Sequence, residues 1–146
     1  MRTPATSMAE IAELLEAPAA AAPPAERARD YLFAGEAVLE HWLTAHEREP
    51  TQSAVEGFRL LALHRQGAKG DPSFNACRET CRELVYHHNV ILDVALAAPD
   101  NAEAASRVVM MRFVLNHLYL FVSGKLEEAG LGEFCCSARP LRTQSA

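Results

Sequence analysis

Every long apolar run in this chain is fenced by residues that start or stop helices. Ser7 with Glu10, and Ser53 with Glu56, have the spacing of a capping box. In that motif each side chain accepts a hydrogen bond from the other residue's free backbone N–H. Asp71 before Pro72 reads as an N-cap followed by the first helical position, where proline's missing N–H would have no partner anyway. Asp100 with Glu103 repeats the capping box. The Ala/Pro-rich stretch 17–24, Pro50, the glycines of 67–70, Pro99 and Gly130 are stop signals. Between these marks the apolar residues recur every three or four positions and do not alternate. The expected fold is all-α.

The segments are expected to be a short helix over about 8–17, then helices over about 25–47, from 53 to the glycines, over about 72–98, and from 100 to about 129. Four long helices joined by short links suggest an antiparallel four-helix bundle, with the short N-terminal amphipathic helix added to it. The organisation expected is 1–24 as helix and linker, 25–130 as bundle and 131–146 as a tail without periodicity. At 146 residues the chain fits one domain with its own core.

The last long helix is apolar nearly all round. From Val108 to Val122 only Arg112, Asn116 and Tyr119, with Ser123 beyond, form a narrow polar stripe. A helix apolar on most sides is buried on most sides. Either the first helix covers it or a second subunit does, so a homodimer is expected. Met8, Ile11, Leu14 and Leu15, the apolar stripe of the first helix, are candidates for contact with the same domain or with a partner.

Composition narrows the classes. A net charge of -5 with scattered basic residues argues against nucleic acid as the partner. The opening residues lack the basic-then-apolar pattern of a signal peptide. The run 108–122 is short of the roughly 20 residues that span a bilayer. A cytoplasmic protein without a membrane partner is expected, and its cysteines are then free thiols or ligands rather than disulfides.

The candidate chemistry lies in "NACRETCRELVYHHN", 75–89. Cys77 and Cys81 are four apart and share a helical face with Leu84, His88 and Ile91. They read as small buried hydrophobes or as a thiolate pair. If the fourth and fifth helices form a hairpin, His117 comes level with Cys81 and points inward beside Met110, Val114 and Phe121. Cys135 and Cys136 would then return toward Cys77. Such a set would favour Zn or Cu(I), thiolates being soft ligands; otherwise no cofactor is expected. With the helix starting at Pro72, Cys77 lies too deep to gain from its N-terminus. His41, His46, His64 and His87 read as surface or boundary residues, and His88 and His117 as buried and neutral.

No nucleophile elbow, phosphate loop, dinucleotide fingerprint or di-iron Glu-x-x-His pair is present. The chain therefore reads as a non-enzymatic interaction or accessory protein with a regulatory role, and alternatively as a thiol-based metal or redox sensor.

Overall fold

The computed structural model describes residues 6–98 and 102–130. They are helical, with no strand among them: α1 (Met8–Glu16), α2 (Pro24–Ala45), α3 (Arg59–Gly70), α4 (Arg78–Ala97) and α5 (Ala102–Glu128). Short 3-10 turns occupy Ala19–Ala21 and Pro72–Cys77. The Ser7–Glu10 capping box forms as its spacing predicts, with both reciprocal bonds in place at 2.9 and 3.0 Å. Asp100, of the last predicted box, lies outside the described residues.

The third start signal is resolved differently. Ser53 and Glu56 do not cap α3. Val55 and Phe58 bond each other's backbones, and between them Glu56 (φ 54) and Gly57 (φ 85) both take left-handed conformations. This is a two-residue reversal of the hairpin kind, which needs positive φ at both central residues. Glycine adopts it freely, whereas Glu56 does so under strain. The helix begins only after the reversal, at Arg59.

That loop changes the topology. Gly35 of α2 sits against Leu60, Leu84 and Leu115. Further along, Trp42 packs on Phe74, which lies against Gly67, and Trp42 also lies under the Lys125 ammonium. Residue numbers on α2, α3 and α5 therefore climb together, so these three helices run in one sense. On α4 they fall, since Phe58 meets His88 while His64 bonds the carbonyl of Phe74, just before Cys77. The expected antiparallel order holds between α4 and α5. It fails for α2 with α3 and α2 with α5, because the 46–58 connection carries the chain back along α2 before α3 starts.

The core is built on α2, which buries Tyr31, Leu32, Val38, Leu39, Trp42 and Leu43. Arg59 binds Glu36 at 3.5 Å and Glu40 at 2.7 Å, tying the start of α3 to the middle of α2. α1 belongs to the same core. Met8 and Ile11 are buried and Leu14 and Leu15 packed against it, so of the two alternatives for this stripe the same domain takes most of it. Two guanidiniums clamp the segment after α1: Arg112 donates to the Ala17 carbonyl at 3.0 Å and Arg27 to that of Pro18 at 3.3 Å.

α5 is turned relative to the expected orientation. Its buried residues are Ala104, Val108, Met111, Leu115, Leu118, Val122 and Leu126. Met110 and His117, expected inside, are exposed. An almost uniformly apolar helix says little about its inward direction, and the neighbours decide. By length and composition alone α5 is also apolar enough to cross a membrane. Here it packs against α2 and α4.

Candidate functional site

α4 starts one 3-10 turn later than its proline suggests. Asp71 caps Ser73, and the chain then coils tightly through Pro72–Cys77 before the α-helix opens. This moves Cys77 from a helix interior to the N-cap of α4, with Cys81 one turn inside. The positive end of the helix lies at an N-cap position and favours an anion there, although the 3-10 turn runs straight into α4 and the Arg78 N–H is already bonded to the Asn75 carbonyl.

Both thiols are buried, Cys77 at 2% and Cys81 at 0% exposure. The imidazole beside them belongs to His64 of α3. His64 is buried, donates from Nε2 to the Phe74 carbonyl at 2.6 Å, and lies within hydrogen-bonding reach of the Cys77 sulfur. The Cys77 thiol also donates to the Phe74 carbonyl, at 3.2 Å. The Cys81 thiol donates to the Cys77 sulfur and holds the Cys77 pKa at about 5, against the burial penalty and with further help from His64. Cys81 pays the converse: giving its proton to that bond, and buried as well, it is pushed well above the ordinary thiol value. His64 loses basicity through burial, but its bonds to Cys77 and Phe74 outweigh this and leave it raised. The arrangement is one activated thiolate, one thiol donor and one imidazole. Such pairing distinguishes reactive from inert cysteines, although reactive ones are usually more accessible.

The cysteine pair and its shared face were legible in sequence, but its histidine was not. His117 is exposed on the outer side of α5 and does not meet Cys81. His87 is buried and His88 only partly, the reverse of expectation, because positions three and four beyond Leu84 fit a helical face equally well. Burial lowers the His87 pKa, helped by the nearby Arg107. Cys135 and Cys136 lie outside the described residues. Among the described residues no three His, Cys, Asp or Glu side chains converge on a point that would hold a metal ion.

A second candidate is a surface. On the outer side of α5, Val109, Met110, Phe113 and Leu120 are exposed by 50, 49, 76 and 58%. Asn116 and His117 lie among them. Arg112, expected on one polar stripe with Asn116 and Tyr119, instead faces the α1–α2 linker, and Tyr119 is half-buried. The outer stripe extends about 17 Å along the helix, at 1.5 Å per residue. Tyr86 of α4, also exposed, flanks it with its ring 6.0 Å from Arg107.

Comparison with protein-family models, with curated proteins and with solved structures found no match.

Proposed function

We propose that this chain is a non-enzymatic helical interaction protein of the cytoplasm, working as a homodimer paired through the outer face of α5. One observation carries the reading: α1 packs on the domain, yet among the described residues nothing covers the apolar outer face of α5. Contiguous exposed apolar patches mark interaction sites. A second copy is favoured as the occupant because the exposed positions from Val109 to Leu120 include no Asp, Glu, Lys or Arg. Such a face meets its own image without like-charge repulsion.

The magnitude sets the kind of dimer. Each of the four large side chains per copy gains roughly 1–2 kcal/mol on leaving water. The sum is on the order of 10 kcal/mol, comparable with the roughly 4–15 kcal/mol cost of association. The pairing is therefore reversible and concentration-dependent. Sedimentation equilibrium tests it: the wild type should dimerise with rising concentration, while Phe113→Glu with Leu120→Glu stays monomeric and keeps its helical circular dichroism. A wild type monomeric up to about 100 µM, or a charged variant that dimerises equally well, would sink the proposal. Flotation of the wild type with lipid vesicles, lost in the charged variant, would assign the face to a membrane instead.

A second reading is favoured by one specific observation, the placing of Cys77 at the N-cap of α4 against Cys81 and His64. It is a peroxide-responsive thiol switch. The Cys77 thiolate attacks a peroxide oxygen, releasing water or an alcohol and leaving a sulfenic acid. The Cys81 thiol then displaces water to close a disulfide, so the peroxide takes the two electrons. Mass spectrometry after one equivalent of peroxide should show loss of two hydrogens in the peptide spanning both cysteines. Unmodified thiols at that dose would exclude the switch.

A further inference from the structure

Outside the thiol pair and the α5 face, the molecule has a pocket of about 200 Å³ between α3 and the start of α4. Its polar lining is Arg65, Arg78, Arg82, His64 and Asn75, over a floor that includes Leu61. Three guanidiniums at one pocket stand out in a chain whose net charge is -5. Among the described residues the carboxylate bonded to them is Glu56, which binds Arg82 at 3.0 Å and also attracts Arg65, while Glu79 attracts Arg82. Both partners of the Glu56–Arg82 pair are open to water, so it is weak and can be displaced. The side chains of Arg65 and Arg78 make no hydrogen bond or ion pair among the described residues. Arg78 is also the first residue of α4, its backbone N–H bonded to the Asn75 carbonyl of the preceding 3-10 turn.

We propose that this pocket binds a small molecule carrying a phosphate group. Guanidiniums present paired N–H donors that match phosphate oxygens. A doubly charged tetrahedral group engages several forks at once, which a single carboxylate cannot do. The volume is below the roughly 300–1,000 Å³ of sites for drug-sized ligands, which restricts the organic part to a short chain. The site is separate from the α5 face, and its occupation does not depend on dimerisation.

Titration calorimetry with inorganic phosphate, methyl phosphate and malonate tests the proposal. Both phosphates should bind saturably to the wild type, more tightly than malonate. The Arg65→Gln, Arg78→Gln double variant should weaken phosphate binding at least tenfold with an unchanged unfolding temperature. Arg29→Gln, a change on the exposed side of α2, should bind as the wild type does. Should the double variant unfold, the single Arg65→Gln variant carries the test, with a loss of at least threefold. Absence of saturable phosphate binding, equal binding by the arginine variant, or tighter binding of malonate would each overturn it.

Discussion

His64 and Cys77 aim at the same acceptor, the carbonyl of Phe74, which lies 2.6 Å from one and 3.2 Å from the other. The carbonyl oxygen has two lone pairs and accepts from both. When Cys77 ionises, His64 keeps the carbonyl, and the Cys81 thiol satisfies the new thiolate.

The Cys77 thiolate absorbance is therefore expected to titrate with a midpoint near 5. Cys81→Ala, which removes the donor, should move that midpoint up, and His64→Gln should do so less. The linkage follows the same signs. Because the folded Cys77 pKa is depressed from 9, its stabilisation is fully present above 9 and is lost as pH falls through about 5. His64 acts oppositely: its contribution is full below 6.5 and disappears as pH rises through its raised folded pKa. A wild-type thiol titrating near 9 would refute the arrangement.

Gly67→Ala should destabilise the protein by about 1–3 kcal/mol, the usual cost of overpacking. A methyl group there would stand 2.8 and 2.9 Å from two ring carbons of Phe74, which is fully buried and has little room to retreat. Because Phe74 also supplies the shared carbonyl, the variant should shift the Cys77 titration as well. Urea unfolding and thiolate absorbance on one sample would check both effects.

Arg59→Ala should lower stability by about 1–3 kcal/mol, since it leaves Glu36 and Glu40 facing each other without their common cation. Glu36 is already raised, by burial more than Arg59 can offset. Its contribution is present below the ordinary Glu value and is lost as pH rises through the raised one. Glu36→Gln should therefore remove that pH-dependent loss, visible as a flatter profile of unfolding midpoint against pH. A profile unchanged by the substitution would contradict it.

Ile11→Ala should cost about 2–5 kcal/mol, the range for a core residue, although α1 has only 9 residues. Ile11 is fully buried. Removal of residues 1–24 should lower the unfolding midpoint more than any single change in α1. A truncated chain as stable as the full one would show that α1 is dispensable to the core.

The elements that depend on neighbours in sequence were readable from it. The α1 capping box, the Asp71 cap and the buried face of Cys77 and Cys81 each need only a few adjacent residues. Ser53 with Glu56 has the same spacing as Ser7 with Glu10, yet Gly57 lets the chain reverse there, and the spacing alone does not reveal which signal wins. His64 joins the thiols only because α3 runs alongside α2 in the same sense, which is decided by tertiary packing. The orientation of α5 was equally hidden, since its apolar residues offer two sides of nearly equal merit.

The shared sense of α2, α3 and α5 has an electrostatic result. Three helix macrodipoles point one way against the one of α4, whereas an up-and-down order would cancel them pairwise. A single copy thus has a sizeable dipole moment along its helices. Under the proposed pairing on α5, a two-fold axis perpendicular to that helix would set the two moments in opposition, so that association removes a dipole from solution together with the apolar surface.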